Sequence, residues 1–77
     1  MSQVKIYSTL SCPYCHMVKD YLTEKKVEFV DYNVGVDQEK AQEMVQKSGQ
    51  MGVPVVDIDG QIVVGFNRPE IDRLLGL

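Results

Sequence analysis

Hydrophobic and polar positions alternate at the start of the chain and then change to a helical repeat. From Gln3 to Ser8, Val4 and Ile6 alternate with Lys5 and Tyr7, a pattern typical of a β-strand. From Tyr14 to Lys25, apolar side chains recur three and four residues apart, which indicates an amphipathic helix. This part of the chain therefore predicts a strand followed by a helix that packs on it.

The middle of the chain predicts a second strand and a second helix. The segment 27–34 is rich in β-branched and aromatic residues, and Phe29, Val30 and Tyr32 are its expected packing residues. Gln38 to Ser48 carries its apolar residues on one side, and the glycine that follows is the expected cap at the end of this helix.

A hairpin signal follows Pro54. Two runs of β-branched residues, Val55 to Ile58 and Gln61 to Val64, flank the dipeptide Asp59-Gly60. An Asp-Gly pair between such runs is a strong sequence signal for a two-residue hairpin turn. We therefore expect two antiparallel strands here.

The last segment predicts a terminal helix with a defined start. Asn67 is expected to cap it, with Glu70 returning the bond in a capping box. Phe66 before the cap is expected to pack on Ile71 as a hydrophobic staple, and Gly76 ends the helix.

The predicted order of elements is βαβαββα, within one domain that spans residues 1–77. A strand-helix-strand unit forms a parallel pair through a right-handed crossover, and the hairpin adds two antiparallel strands. The predicted fold class is α/β, a four-stranded mixed sheet flanked by three helices.

Composition and charge narrow the classes of function. The chain has 77 residues, 44% of them hydrophobic, and a formal net charge of -3, which gives no electrostatic footprint for nucleic acid. Met1 to Lys5 lacks the layout of a signal peptide, and no apolar run reaches the length of a membrane span. We expect a cytoplasmic monomer with neither nucleic acid nor a membrane as a partner.

The candidate chemistry is concentrated in Ser11–His16, which holds both cysteines and the only histidine. Pro13 fits the first turn of a helix, so Cys12 is expected at or next to its cap. A thiolate is the species that attacks a disulfide, and a free cysteine with a pKa of about 8.5 is mostly protonated at neutral pH. Because a helix start favours negative charge, we expect Cys12 to be the nucleophile and Cys15, one turn deeper, to resolve the mixed disulfide.

Two other chemistries share this motif. Cys-x-x-Cys-His is also the haem-attachment pattern, which suits an exported, mostly helical chain. A closed zinc site needs four ligands, and Cys12, Cys15 and His16 supply three at most. His16 directly follows Cys15 on the helix, so we expect it to point away from Cys12 as a solvated side chain. We expect no bound cofactor and no metal.

Three motifs in this order resemble the glutaredoxin family. They are Cys12-Pro13-Tyr14-Cys15 at a strand-to-helix junction, Val53-Pro54 before a hairpin, and Gly65-Phe66 before a capped helix. The resemblance runs from about Val4 to Leu75. It implies a thioredoxin fold with Pro54 in the cis form beside the dithiol. The substrate-binding residues that it implies are Tyr14, Val53, Pro54, Gly65, Phe66 and Asn67.

The resemblance also implies glutathione as a co-substrate, and the sequence departs from the family pattern there. Glutaredoxins that use glutathione commonly have a lysine three residues before the first cysteine, where this chain has Thr9. They also carry an acidic pair where this chain has Asn67-Arg68. Lys19 and Gln50 are candidates to substitute, and the backbone of Val53 can pair with an extended peptide-like substrate.

The function expected from these features is a thiol-disulfide oxidoreductase that reduces protein disulfides or glutathione mixed disulfides. Its electron source is glutathione or a flavoprotein such as a thioredoxin reductase. One alternative is a dedicated electron donor, for example to ribonucleotide reductase, because the chain length and the stretch 65–70 are similar to such redoxins and to small bacterial glutaredoxin-like proteins. A second is a carrier that shares an iron-sulfur cluster between two chains through Cys12, which Pro13 disfavours.

Overall fold

Within the computed structural model, which describes residues 3–77, strands and helices follow the predicted order. The first two residues of the predicted domain, which are also the start of the segment Met1 to Lys5, lie outside the described residues. The elements are β1 (Val4–Ser8), α1 (Pro13–Glu24), β2 (Val30–Asn33), α2 (Gln38–Ser48), β3 (Val55–Ile58), β4 (Gln61–Val64) and α3 (Arg68–Leu75).

The four strands form one mixed sheet in the order β2-β1-β3-β4. β1 runs parallel to β2 and antiparallel to β3, so Ile6 lies between Asp31 on one side and Val56 on the other. β3 and β4 are antiparallel neighbours, as expected of a hairpin. The predicted four-stranded mixed sheet with three helices is therefore confirmed.

Buried side chains form two clusters that divide the helices between them. The larger cluster joins β1, β3 and β4 to α1 and α3 and consists of Val4, Ile6, Val18, Tyr21, Leu22, Val56, Ile58, Val63 and Ile71. The smaller cluster joins β1 and β3 to α2 through Tyr7, Val55 and Met44. Because successive side chains of a strand point to opposite faces, Ile6 and Tyr7 serve different clusters. The sheet thus carries α1 and α3 on one face and α2 on the other.

The predicted turns and caps have the backbone that their residues favour. Asp59 and Gly60 both have positive φ, 53° and 89°, as a tight hairpin turn between twisted strands requires. Gly49 has φ 74° and caps α2, and Gly76 has φ 72° and caps α3.

Among residues 3–77, none of the helices combines the length and the apolar composition that a membrane span requires.

The second strand is shorter than predicted and packs differently. β2 begins only at Val30. The predicted start, Val27, belongs to the turn that ends α1, because its amide donates to the carbonyl of Leu22 and is not available for pairing in the sheet. Val30 is 48% exposed, so its expected packing role is wrong. β2 is an edge strand, which leaves side chains of this kind uncovered. Phe29 and Tyr32 do pack against the two clusters, as predicted.

The start of α3 corrects one other expectation. Asn67 caps the helix, and its side-chain Oδ1 accepts a bond from the amide of Glu70 at 3.4 Å. The carboxylate of Glu70 pairs with the guanidinium of Arg73, one turn further along the helix. The predicted capping box is therefore only half formed, because Arg73 offers Glu70 a charged partner at the favourable helical spacing.

Candidate active site

Cys12 is the N-cap of α1. Its backbone is extended, and Pro13 occupies the first turn, where a missing amide hydrogen leaves nothing unpaired. Its Sγ accepts a hydrogen bond from the backbone amide of Cys15 at 3.2 Å, and its carbonyl accepts one from the amide of His16 at 3.2 Å. The sulfur thus takes the place that a serine or aspartate oxygen usually fills at a helix start, facing amide hydrogens that favour negative charge.

Cys15 lies in a different environment from Cys12. Its side chain is fully buried, whereas Cys12 is partly exposed. Burial, a hydrogen bond with Cys12 and the charge of Cys12 raise the pKa of the Cys15 thiol to about 11. A backbone bond from Thr9 and the charge of Lys19 act in the opposite direction. Cys12 is therefore the accessible sulfur of the pair, and Cys15 is a buried thiol that does not ionise readily.

A cis peptide bond between Val53 and Pro54 lies beside Cys12, the partly exposed cysteine. The Sγ of Cys12 lies 3.8 Å from the carbonyl oxygen of Val53, to which a thiol would donate. The carbonyl of Pro54 accepts a bond from the amide of Gly65 at 2.8 Å. The cis form that the resemblance implied is confirmed. The structure thus brings Cys12, Cys15, Val53, Pro54 and Gly65 together.

Several apolar side chains in and near the loop that precedes Cys12 are exposed. Leu10 is 75% exposed, Val36 is 80% exposed and Tyr14, in the first turn of α1, is 62% exposed. Leu10 and Val36 border a groove of about 300 Å³ whose other lining residues are Thr9, Ser11, Asn33 and Gly35. Tyr14 therefore presents its ring to solvent between the two cysteines of the motif.

Phe66 contacts the larger buried cluster, and Asn67 contacts the start of α3. The ring of Phe66 lies 5.8 Å from that of Tyr21, in the larger buried cluster that also holds Ile71. The side chain of Asn67 bonds the first turn of α3. Arg68 follows with its guanidinium 4.7 Å above the ring of Tyr21. Phe66 and Arg68 therefore hold α3 to α1 through Tyr21, whereas Asn67 caps α3 itself.

The other polar residues considered near the motif have partners elsewhere. Lys19 pairs with Asp31 at 3.0 Å, and the side chain of Gln50 bonds the backbone of Gly52. His16 is exposed, as expected, and its Nε2 lies 2.8 Å from the carbonyl oxygen of Leu10. In this structure Lys19 and Gln50 are therefore committed to contacts within the chain, and His16 is bonded to the loop before the motif.

One charged group beside the site was missed by the sequence reasoning. Asp31 on β2 accepts bonds from Lys19 and from the buried Ser8, so three elements meet close to the dithiol. The one signal available in the sequence is the spacing of Cys15 and Lys19, four residues apart on a helix and hence on one side of it. Among residues 3–77 no group of three or more His, Cys, Asp or Glu side chains is arranged to hold a metal ion.

Comparison with known proteins gives consistent relatives. The family model described as Glutaredoxin matches residues 4–63. An uncharacterized glutaredoxin-like 8.6 kDa protein in the rubredoxin operon of Clostridium pasteurianum is 53% identical over 72 residues, covering 94% of this chain and 96% of the relative. Glutaredoxin 3 of Escherichia coli is 38% identical over 65 residues, with 84% and 78% covered. Glutaredoxin-like protein NrdH of Lactococcus lactis is 32% identical over 71 residues, with 92% and 97% covered.

Solved structures agree with this assignment. The glutaredoxin of Methanosarcina mazei superposes with a TM-score of 0.87 at 26% identity, covering 97% of this chain and 79% of that one. The glutaredoxin of Archaeoglobus fulgidus gives a TM-score of 0.88 at 24% identity, covering 97% and 87%, and bears on the fold alone. The chain therefore belongs to the glutaredoxin family and has the thioredoxin fold. Its biochemical class is that of the thiol-disulfide oxidoreductases.

Proposed function

We propose that this protein reduces protein disulfides or glutathione mixed disulfides, with Cys12 as the nucleophile and Cys15 as the resolving cysteine. The observation that carries the proposal is the unequal placement of the two sulfurs. Cys12 is partly exposed at a helix start and receives an amide bond at 3.2 Å, whereas Cys15 is fully buried behind it. An accessible sulfur held where an anion is stabilised is suited to the first attack.

The reaction proceeds in two exchanges. The thiolate of Cys12 attacks one sulfur of the substrate disulfide, that bond breaks, and the first leaving thiolate takes a proton from water. Cys15 then loses its proton and attacks the Sγ of Cys12, which releases the second substrate thiol and forms a disulfide between Cys12 and Cys15. Two electrons from a thiol or flavoprotein donor restore the dithiol.

The substrate is proposed to lie across the loop that contains the cis peptide bond. The backbone of Val53, whose carbonyl already lies 3.8 Å from the Sγ of Cys12, can pair with an extended segment on either side of the target cysteine. Pro54 and Gly65, whose carbonyl and amide bond each other at 2.8 Å, are proposed to contact the same segment. The exposed ring of Tyr14 and the apolar surface at Leu10 suit a protein substrate, because they gain contacts that a small peptide cannot supply.

Two proposals can be made for the physiological reductant of this protein. The first is glutathione. The second is a flavoprotein of the thioredoxin reductase type, with this protein as a dedicated donor, for example to ribonucleotide reductase. Asn67 and Arg68 favour the second, because they cap and hold α3 where glutathione-using relatives are expected to carry acidic side chains. The NrdH-like relative supports the same choice. Either route suits the cytoplasm, where thiols are kept reduced.

Cysteine variants test the assignment of roles. We expect Cys12→Ser to abolish disulfide reduction and Cys15→Ser to accumulate a mixed disulfide at Cys12, visible as a mass increase equal to that of the substrate thiol less two hydrogens. Retention of full activity by Cys12→Ser would refute the proposal, as would a mixed disulfide trapped at Cys15 in the Cys12→Ser variant.

A coupled assay of NADPH oxidation separates the two electron sources. The same disulfide substrate is supplied with glutathione and its reductase in one reaction and with thioredoxin reductase in the other. Turnover only in the second reaction assigns the protein to the dedicated donors, and turnover only in the first assigns it to the glutathione-linked enzymes.

A further inference from the structure

Lys19, Asp31 and Ser8 form a chain of polar contacts across three elements. The ammonium of Lys19 on α1 lies 3.0 Å from Oδ2 of Asp31 on β2, and the hydroxyl of Ser8 on β1 donates to Oδ1 at 2.6 Å. Ser8 is 2% exposed, and the side chain of Lys19 is 19% exposed. An ion pair anchored by a buried hydroxyl holds the ammonium in one place, unlike the mobile lysines of the surface.

This chain of contacts adjoins the buried sulfur of Cys15. Lys19 lies one helical turn beyond Cys15 on the same side of α1. The backbone of Thr9, the residue after Ser8, bonds the Cys15 thiol from the end of β1. The charged groups that act on this thiol are Cys12 at the N-cap of α1 and Lys19 within α1. Asp31 on β2 contacts Lys19 and acts on the thiol by holding that ammonium. Lys19 therefore supplies the positive charge near Cys15.

The second exchange needs this charge more than the first. With a pKa of about 11, Cys15 is a thiolate in roughly one molecule in ten thousand at neutral pH. Part of that rise comes from the negative charge of Cys12, which disappears once Cys12 is joined to the substrate as a neutral disulfide. The charge of Lys19 persists in that intermediate and is then opposed by no anion at Cys12.

We propose that Lys19, fixed by Asp31 and Ser8, promotes resolution of the mixed disulfide by stabilising the thiolate of Cys15 as it forms. The inference rests on the proposed roles of Cys12 and Cys15. In the step concerned, the proton of Cys15 passes to water, its sulfur bonds the Sγ of Cys12, and the bond from Cys12 to the substrate sulfur breaks. The substrate leaves as a thiolate that is protonated by water. Lys19 acts through Cys15 and is a positioning residue.

The test uses dithiobis(nitrobenzoate), whose coloured thiolate is released once in each exchange. In stopped-flow mixing with the reduced protein, attack by Cys12 gives the first release and attack by Cys15 gives the second. We expect Lys19→Gln to slow the second release about tenfold at neutral pH and to move its pH midpoint upward by about one unit, since one unit corresponds to a tenfold change in ionisation. The first release should change less than threefold.

Two control variants separate this charge effect from a structural one. Lys19→Arg keeps the positive charge and should restore most of the second rate. Lys26→Gln removes the same charge from an exposed position after α1 and should leave both rates unchanged. An unchanged second release in Lys19→Gln, or equal slowing of both releases, would overturn the inference. Loss of the assigned roles would appear separately, as an unaltered first release in Cys12→Ser.

Discussion

Lys47 on α2 reaches the buried carboxylate of Asp57 on β3, with Nζ and Oδ2 2.7 Å apart. The same ammonium lies 2.9 Å from the hydroxyl of Tyr7 on β1, and the other carboxylate oxygen of Asp57 accepts the amide of Gly60 at 2.8 Å. This one ion pair therefore joins α2, the central strands and the hairpin turn.

Removal of Lys47 should destabilise the fold. Asp57 is 5% exposed, so Lys47→Met would leave a buried carboxylate with its backbone bond and no cation. Because the side chain of Lys47 is itself 29% exposed, we expect the free energy of unfolding to fall by about 2–3 kcal/mol, less than for a fully buried pair. Urea denaturation measures the change. Lys40→Met breaks the looser contact with Glu43 and should lower it by less than about 1 kcal/mol. Equal losses in the two variants would contradict this prediction.

The two cysteines should differ sharply toward an alkylating reagent. Cys15 is fully buried and its pKa is raised to about 11, so little thiolate is available at this site at neutral pH. We expect iodoacetamide to modify Cys12 at least about a hundredfold faster than Cys15 in the folded protein. Peptide mapping by mass spectrometry gives both rates. In urea the two rates should converge, and comparable rates in the native protein would rule the prediction out.

Use of glutathione should improve when two departures from the family pattern are reversed. Thr9→Lys adds a cation where the tripeptide carboxylate is expected, and Arg68→Asp replaces a cation near its amino end with an anion. We expect the double variant to need several-fold less glutathione for half-maximal turnover, since each exposed charge pair contributes up to about 1 kcal/mol. Lys26→Gln has the same net charge as the double variant and serves as the control. An unchanged glutathione dependence would mean that these positions do not contact it.

Acid should weaken the contact between Tyr7 and Glu43. The Tyr7 hydroxyl donates to Oε2 of Glu43 at 2.6 Å, and this bond lowers the pKa of that carboxyl. The stabilisation is complete above the unfolded pKa of about 4.3 and is lost as the pH falls through the lower folded pKa. We therefore expect Glu43→Gln to lose less stability on acidification than the parent protein. Urea midpoints at about pH 6 and about pH 3 test this, with exposed Glu28→Gln as the control. A parallel decline in Glu43→Gln would refute it.

Most of the fold could be predicted from local patterns. The bounds of α2, β3 and β4 agree with prediction because each element has a clear period and a turn or cap residue at its end. β2 was misjudged because its start depends on the amide of Val27, which bonds the end of α1. A backbone hydrogen bond of this kind, between the end of a helix and the segment after it, depends on no particular side-chain pattern and so cannot be predicted from the sequence.

The site was predictable in its cysteines and less so in its surroundings. Pro13 indicated the helix start and so the placement of Cys12. The cis form of Pro54 came from the family resemblance alone, because only about 5–6% of X-Pro bonds in folded proteins are cis. The partnership of Lys19 with Asp31 joins residues on different elements, and only the packed sheet brings them together.

The sulfur of Cys12 also terminates a helix. Any reaction that converts it from thiolate to disulfide weakens it as an acceptor for the amide of Cys15. The reduced and oxidised proteins can be compared in folding stability. By thermodynamic linkage, this difference in stability equals the difference in the free energy of dithiol oxidation between the folded and the unfolded chain. A calorimetric comparison of the two forms therefore also measures how strongly this fold favours the reduced dithiol over the disulfide.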